Sequence, residues 1–527
     1  MMGEDLAMKK SDPVTRLTPE EQQLVAQINA ASNREQVLKE LKANLQTAIE
    51  IELATIPIYL NTYYSINRNT NSGEGIDNLQ AFANKAGGVI MSVAVEEMLH
   101  MSLSSNILFS MGVAPQMYRQ APKKYPTGLP YHQPQGPKGP NGETAVLIPL
   151  AKLSFEQLWH FLQIEYPEQW DALPQDRNWQ TIGQFYSYIR CLIHTKFLTD
   201  ADFQKGAAAE AIQPYNYSPN NVDTVYPTGK FDPWKPAPGG GPAPAWSQAD
   251  GYPSGAEAAR YPDHGDSHAG TTELMTLASI ADAACAIDTI CDQGEGYPVP
   301  YLGPGDDDDP SKDEQSHYVK ILNLQAQYAD YKGTTESLPP DPPPPDQMLP
   351  TVNDKALAAA GYVINFPDNP TAKGYPAHYR SIADFCSACF QYMLIMTETI
   401  YRVPPQHQKL FFNEGLHRSM IWVLDKYIRT IRQIPIGKDD KGAATYMGPV
   451  FEDLDLGRPK DSFKALTKAG AAAIDAANKV IKGLKPDDPL VGVMNNVIYY
   501  VGVATPQPKN PAAGKAHLPD VAPYWPA

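Results

Sequence analysis

The sequence predicts an all-α protein, a helical bundle with long loops between its helices. Apolar residues recur at helical spacing over several long stretches, among them 14–66 and 78–111. The 50 prolines and 37 glycines of the 527 residues gather in segments between those stretches. Since 43% of the residues are apolar and 10% aromatic, the chain can bury a sizeable core despite this excess of helix breakers.

Charge and composition exclude several classes of protein. The 43 Lys and Arg against 59 Asp and Glu give a net charge of −16, which argues against binding to nucleic-acid phosphates. No window approaches the roughly 18 apolar residues of a membrane span, and the N-terminus lacks an apolar signal core, so we expect a cytoplasmic protein without membrane contact. The five cysteines are too few and scattered for a disulfide framework. Cys386 and Cys389 stand in an apolar helical run and are expected to pack in the core.

The first two long stretches predict a helical hairpin. The stretch 14–66 is expected to bend or locally unwind at Pro57, one turn above Glu52. The second helix, 78–111, stops at Gly112, in the position that glycine favours after a helix end. A polar loop joins the two, which is typical of an antiparallel pair.

Shorter helical patterns follow, and they suggest how the chain is divided. They cover 154–164, 181–197, 271–292, 311–331, 381–402, 406–433 and 462–483. A proline run at 339–346 predicts a stiff connector. We therefore expect a bundle over 14–335 with a coil insertion at about 213–269, a helical extension over 350–500 packed on it, and a proline-rich tail over 501–527.

A glutamate three residues before a histidine recurs more often than chance predicts. With 11 His and 23 Glu in 527 residues, about 0.5 such pairs are expected, and there are three. In a helix, residues three apart lie on one face, so a carboxylate and an imidazole at this spacing can reach one metal ion. The pairs are Glu97 with His100, Glu314 with His317, and Glu414 with His417.

Two such pairs, with one Glu from each of two further helices, form the di-iron or di-manganese site of ferritin-like four-helix bundles. On the first helix, Glu52 shares a face with Ile56 and is preferred to Glu50. On the second, the spacing selects Glu97. Its neighbour Glu96 is expected to face solvent or to support a ligand.

The other half of the site has two candidate ligand sets. Each places its three groups near the turn of a predicted helical hairpin, so spacing alone leaves both open. They are Glu295 with Glu314 and His317, and Glu398 with Glu414 and His417.

Six stretches in order resemble a known domain: LQTAIEIELATIPIYL, EEMLHMSLSSNIL, FLQIEYPE, TIGQFY, DQGEG and EQSHYVKI. Together they resemble the ferritin-like domain of the iminophenyl-pyruvate dimer synthase family, found in violacein- and rebeccamycin-type biosynthetic enzymes. The resemblance spans roughly residues 35–330, and the insertion at 213–269 departs from it. It implies a ferritin-like four-helix bundle and the ligands Glu52, Glu97, His100, Glu295, Glu314 and His317.

These features predict a metal-dependent oxidoreductase. Ligation by oxygen and nitrogen without cysteine favours two Fe or Mn ions, with iron preferred. Dioxygen or peroxide would be the oxidant, and the resemblance implies a small aromatic or amino-acid-derived substrate in secondary-metabolite biosynthesis. Tyr59 and Glu96 are candidates for assisting the metal ligands. Alternatives are a storage or peroxide-detoxifying protein and a non-catalytic partner subunit; a homodimer is compatible with the composition.

Overall fold

The computed structural model describes residues 17–68, 77–133, 147–167, 172–205, 277–294, 316–331, 352–404, 411–507 and 517–526. Within these segments the protein is helical apart from one small β-hairpin, which confirms the predicted all-α class. The elements are α1 (Pro19–Ala31), α2 (Arg34–Ser65), α3 (Asn78–Ser110), α4 (Phe155–Ile164), α5 (Ile182–Ile193), α6 (Ile280–Gly294), α7 (His317–Gln325), α8 (Asp354–Ala359), α9 (Arg380–Ile400), a π-helix (Phe412–Asp425), α10 (Lys426–Ile431), β1 (Pro435–Lys438), β2 (Ala444–Tyr446), α11 (Pro459–Lys482) and α12 (Pro489–Ala504).

The predicted helix over 14–66 is two helices, because a cap interrupts it. The side chain of Asn33 accepts a hydrogen bond from the amide of Gln36, and the side chain of Gln36 accepts one from the amide of Asn33. This reciprocal cap starts a new helix at Arg34. The local unwinding expected at Pro57 is wrong: α2 runs through it, in a stretch buried from residue 51 to 65 where packing holds the helix together.

Helices α2 and α3 form the predicted antiparallel pair. Thr55 of α2 contacts Glu97 of α3, whereas just beyond the end of α2 the carbonyl of Asn67 accepts a hydrogen bond from Gln80, near the start of α3. The contacts thus run in opposite order along the two helices. Gly112 follows α3 with φ of +80°, the left-handed conformation that ends helices and that glycine adopts without strain.

The shorter helices α4 to α7 pack around the α2 and α3 pair, and a buried arginine joins them to α1. Arg190 on α5 donates from Nε to Glu21 of α1 at 2.9 Å and from Nη1 to Asp288 of α6 at 2.8 Å. All three side chains are buried. This triad fixes three helices to one another through charge-assisted hydrogen bonds.

The C-terminal helices contribute to the same hydrophobic core as α2 and α3. Tyr401, which follows α9, donates to Asn106 of α3 at 2.8 Å. Tyr64 of α2 donates to Asp425 at the end of the π-helix at 3.0 Å. The helix predicted over 406–433 is a π-helix followed by α10, and residues 405–410 lie outside the described segments.

Cys386 and Cys389 pack in the core of α9, as predicted. Both are buried and free. Burial raises the pKa of the Cys386 thiol to about 12, so it stays protonated and unreactive at neutral pH.

Other predicted features fall outside this description. The insertion at 213–269 and the connector at 339–346 lie outside the described residues.

Among the described helices, none combines the length and apolar character that crossing a bilayer requires.

Replacing Arg190 by Met is expected to destabilise the protein by about 3–5 kcal/mol, because two buried carboxylates lose their counter-charge. Chemical denaturation of the metal-free protein measures the change. The control is Arg458→Met, which breaks the ion pair with Asp461 on the surface, where the side chains are 67% and 53% exposed; it should cost less than about 1 kcal/mol. Equal losses in the two variants would contradict the role assigned to the triad.

Candidate metal centre

Three acidic side chains and two imidazoles meet in the interior, between α2, α3, α4 and α7. Their possible ligand atoms form two groups, in each of which all atoms lie within 4.8 Å of one another. All five side chains are buried. The first group is Glu52, Glu97 and His100, and the second is Glu97, Glu165 and His317.

Glu97 belongs to both groups. It lies on α3 one turn before His100, so helical geometry alone puts the two side chains on one face. Glu52 reaches it from α2, and Glu165 and His317 reach it from the end of α4 and the start of α7. A carboxylate shared by two groups of donors is suited to bridging two cations.

His317 aims one ring nitrogen at the carboxylates and holds the other in place. Its Nδ1 lies 3.2 Å from Glu97 Oε1 and 3.4 Å from Glu165 Oε2, yet makes no aligned hydrogen bond. Its Nε2 lies 2.7 Å from Glu96 Oε2. A buried imidazole fixed through one nitrogen by a carboxylate, with the other facing acidic oxygens, is the arrangement of histidines that bind metals.

His100 repeats this arrangement in the first group. Its Nε2 donates to Gln293 Oε1 at 3.1 Å, and its Nδ1 side faces Glu97, whose Oε2 lies 4.0 Å away. The rings of His100 and His317 are stacked, with centroids 5.4 Å apart and an angle of 24°. The two imidazoles therefore lie face to face, and the Nδ1 atom of each faces Glu97.

A hydroxyl group donates to each of the three carboxylates. Tyr186 of α5 donates to Glu52 at 2.6 Å, and the hydroxyl of Thr55 on α2 is shared between the backbone carbonyl of Glu52 at 3.0 Å and the carboxylate of Glu97 at 3.2 Å. Tyr59, one of the predicted assisting residues, donates to Glu165. These bonds fix the orientation of each carboxylate while leaving its other lone pairs free for a cation.

Glu96 is buried, so the expectation that it faces solvent is wrong; it supports a ligand instead. Besides the contact with His317, it accepts hydrogen bonds from Lys320 Nζ at 2.9 and 3.1 Å. Lys320 is buried too, one turn after His317 on α7. The ammonium group compensates the charge of Glu96, which makes this carboxylate a stable acceptor for His317.

The pKa values show how the metal-free cluster carries its charge. Burial, with a further contribution from Glu97, raises the pKa of Glu52 well above its usual range and that of Glu165 to about 7. Burial opposes ionisation of Glu97, but a hydrogen bond with Glu52 and the positive charge of the nearby His317 lower its pKa to about 2. Without a cation, protons on Glu52 and Glu165 hold the carboxylates together.

The two imidazoles differ in charge. Burial lowers the pKa of His100 to about 4, so this ring is neutral and its Nδ1 has a lone pair at neutral pH. Burial opposes the charged form of His317 as well, yet the carboxylates of Glu165, Glu96 and Glu97 raise its pKa well above the usual value. A cation that used the imidazole of His317 as a ligand would therefore have to displace a proton from it.

The donor chemistry fits a pair of metal ions. Carboxylates and imidazoles, with no thiolate in either group, suit iron or manganese. Burying three carboxylates together is costly unless positive charge or protons neutralise them. The unaligned Nδ1 of His317 points at the position that such a charge would occupy.

The structure brings together four of the six predicted ligands, Glu52, Glu97, His100 and His317. The other two, Glu295 and Glu314, lie outside the described residues. The helix expected from 311 begins only at His317, since Ser316 caps it through a hydrogen bond from the amide of Val319. Helical spacing therefore does not by itself place Glu314 beside His317.

The alternative ligand set is only partly described. Glu398 is buried, and its Oε1 accepts hydrogen bonds from the amides of Met117 and Tyr118, which attaches α9 to the turn after α3. The side chains of Glu414 and His417 lie outside the described set. Their backbone is π-helical.

Sequence reasoning missed Glu165 and Tyr186. Glu165 has no histidine three residues later and lies at the C-cap of α4, so no spacing rule selects it. Glu165 lies in the stretch FLQIEYPE and Tyr186 in the stretch TIGQFY, and both stretches belong to the resemblance. The ligands that the resemblance implied came from its other stretches.

A family model matches part of the chain. Residues 45–230 match the family model described as Ferritin-like. This match covers α2 from residue 45 onwards and α3 to α5, the elements that carry Glu52, Glu97, His100 and Glu165. The chain therefore contains a ferritin-like domain.

One solved structure that is similar to this chain is that of a ferritin-like protein from Caulobacter vibrioides. The two sequences are 17% identical, the alignment covers 78% of this chain and 98% of the other, and the TM-score is 0.38. No curated protein matched the chain significantly.

The metal-free protein is expected to lose stability as the pH rises from about 6.5 to 8. Glu52, Glu165 and His317 have raised pKa values, so the folded state holds protons that the unfolded chain has released. Each excess proton lowers the free energy of unfolding by about 1.4 kcal/mol per pH unit. Below this window the lowered pKa of His100 acts in the opposite direction.

Urea denaturation in the presence of a chelator measures this dependence. Glu165→Gln should show a smaller slope, since it removes one of the titrating groups. Glu156→Gln, on the exposed face of the same helix, should keep the slope of the unchanged protein. A stability that is flat or rises over this range would contradict the assigned protonation.

Proposed function

We propose that this ferritin-like domain holds two Fe or Mn ions, iron being favoured, and that the chain is a di-metal oxidoreductase. The first ion would be held by Glu52, Glu97 and His100, and the second by Glu97, Glu165 and His317. Glu314 and Glu295, predicted from the resemblance, are proposed as further ligands. Such ions supply one- or two-electron oxidation of an organic substrate by dioxygen or peroxide.

The observation that carries this proposal is the shared position of Glu97 in two buried groups of donors. A single surface pair of Glu and His is commonplace, but here two imidazoles and three carboxylates converge with little water access. Each group mixes carboxylate and imidazole donors, as di-metal carboxylate bundles do. A structural zinc site would be closed by four ligands and is commonly rich in cysteine.

The surrounding residues keep the donors oriented and dry. Tyr186, Thr55 and Tyr59 each hold a proton on a hydroxyl directed at one carboxylate. Lys320 and Glu96 hold His317 by its Nε2. Because these side chains are buried, the carboxylates are fixed by the protein before any cation arrives, and this preorganisation favours binding.

The substrate class rests on the resemblance to the iminophenyl-pyruvate dimer synthase family. It supports a small aromatic or amino-acid-derived substrate and a place in secondary-metabolite biosynthesis. A ferritin-type storage or peroxide-detoxifying role uses the same kinds of ligand, so the reaction has to be tested apart from metal binding.

Replacing Glu97 by Gln is expected to remove both ions, because the amide cannot bridge two cations. After reconstitution with Fe(II) without oxygen, or with Mn(II), and removal of free metal, elemental analysis should find about two ions per chain in the unchanged protein. The Glu97→Gln variant should hold fewer than about 0.2.

Glu398→Gln is the matched control, since Glu398 is also buried and belongs to the alternative ligand set. It should retain about two ions per chain. Loss of metal in Glu398→Gln but not in Glu97→Gln would move the site to the alternative set, and an absence of stoichiometric metal in the reconstituted protein would refute the di-metal centre.

An oxidoreductase should consume oxygen repeatedly when an arylpyruvate imine is supplied, with an oxidised organic product formed in proportion. A storage protein would take up oxygen only when Fe(II) is added and would accumulate many more than two irons per chain. Oxygen electrode traces combined with mass spectrometry of the products distinguish these outcomes. Glu97→Gln provides the background rate for both measurements.

A further inference from the structure

The two groups of metal-binding donors differ in the side chain that holds each imidazole from behind. We call the group of Glu52, Glu97 and His100 the His100 position, and the group of Glu97, Glu165 and His317 the His317 position. In both, the imidazole Nδ1 faces Glu97. In both, a tyrosine hydroxyl donates to the carboxylate that the positions do not share. The difference lies at the Nε2 atoms.

The acceptor behind His100 is neutral. The Nε2 atom of His100 donates to the amide oxygen of Gln293 on α6 at 3.1 Å. Both side chains are buried. A hydrogen bond between neutral groups fixes the ring but does little to its charge distribution.

The acceptor behind His317 is a carboxylate. The Nε2 atom of His317 lies 2.7 Å from Glu96 Oε2. A hydrogen bond to an ionised acceptor is shorter and roughly twice as strong as a neutral one. Because the carboxylate attracts the Nε2 proton, more negative charge stays on the ring, and Nδ1 becomes a more basic ligand.

Lys320 supplies the counter-charge that a buried carboxylate requires. Its Nζ lies 2.9 and 3.1 Å from the two oxygens of Glu96, and each of these side chains is only 2% exposed. Lys320 follows His317 by one turn of α7, and Glu96 directly precedes Glu97 on α3. Since water does not screen this pair, its influence on the neighbouring ring is stronger than at the surface.

We propose that the pair of Glu96 and Lys320 makes the two metal positions unequal, so that the ion in the His317 position has the lower reduction potential. A more electron-rich imidazole stabilises the higher oxidation state of the ion it binds. The first electron from a chemical reductant would then go to the His100 position, and the second to the His317 position. This inference rests on the proposed pair of ions. Glu96 and Lys320 are positioning residues in it, since they act through His317.

The main variant combines Glu96→Gln with Lys320→Met, which removes the anion behind His317 and keeps the net charge. Full-length protein reconstituted with iron is titrated with dithionite, and EPR spectroscopy follows the half-reduced state. In the unchanged protein two one-electron potentials are expected. In the variant the lower one should rise by at least about 59 mV, the equivalent of a tenfold change in the equilibrium constant, and the higher one should move less.

Gln293→Met is the matched control. It removes the neutral acceptor behind His100, and Gln293 is as deeply buried as Glu96, with 2% of each exposed. The control should move the higher potential, and by less than the double variant moves the lower one. An unshifted lower potential in a folded double variant, or the same shifts in both variants, would overturn the proposal.

Mössbauer spectroscopy of the half-reduced unchanged protein tests the inequality without any variant. Unequal positions should trap the valences, so the spectrum should contain one ferric and one ferrous component of equal area. A single averaged component would contradict the proposal. This measurement decides the outcome if circular dichroism shows that the double variant does not fold, or if elemental analysis shows that it has lost an ion.

Failure of this inference is distinguishable from failure of the proposed function. A protein that holds two ions per chain but shows no shift of its lower potential keeps the di-metal centre and refutes only the role of Glu96 and Lys320. A reconstituted protein without stoichiometric metal refutes both.

Discussion

The burial of several carboxylates around Glu97 is the constraint on which the rest of the structure depends. Glu52 and Glu165 each have a carboxylate oxygen within 4.8 Å of one of Glu97, and all three side chains have almost no solvent exposure. Such a cluster is stable only when positive charge compensates it. The charged imidazole of His317 and the protons bound to the carboxylates do so in the metal-free protein, and two cations would do so by displacing those protons.

The scaffold holds this cluster by surrounding two long helices with short ones. α2 and α3 supply the central donors, and α4, α5 and α7 supply donors and hydroxyl groups from three further directions. Glu165 and His317 lie at a helix end and a helix start, where a small change in backbone direction aims the side chain. The C-terminal helices close the pair on its other side, and side chains of α2, α3, α9 and the π-helix line a small apolar pocket at that junction.

A comparison of the buried charges shows how the two kinds of site differ. Arg190, Glu21 and Asp288 form a closed triad in which donor and acceptor atoms are 2.8 and 2.9 Å apart. Nothing in that triad remains for a ligand. At the candidate metal centre, in contrast, His317 Nδ1 faces two carboxylates without an aligned hydrogen bond. Buried charges whose hydrogen bonds are all made, as in the triad, stabilise the fold. Buried donors without an aligned hydrogen bond, such as His317 Nδ1, leave coordination positions for a cation.

The sequence by itself determined the elements whose geometry is local. Helical periodicity predicted α2 and α3, glycine at 112 marked the end of α3, and the spacing of Glu97 and His100 placed both on one face. Only the tertiary structure decided which distant side chains complete the site. Glu165 and His317 are 152 residues apart (317 − 165), and no local periodicity relates them. The sequence left open whether Glu96 faces solvent or supports a ligand, because its partners, His317 and Lys320, come from a helix more than 200 residues away. Contacts of this kind depend on how helices pack, and packing is a property of the whole chain.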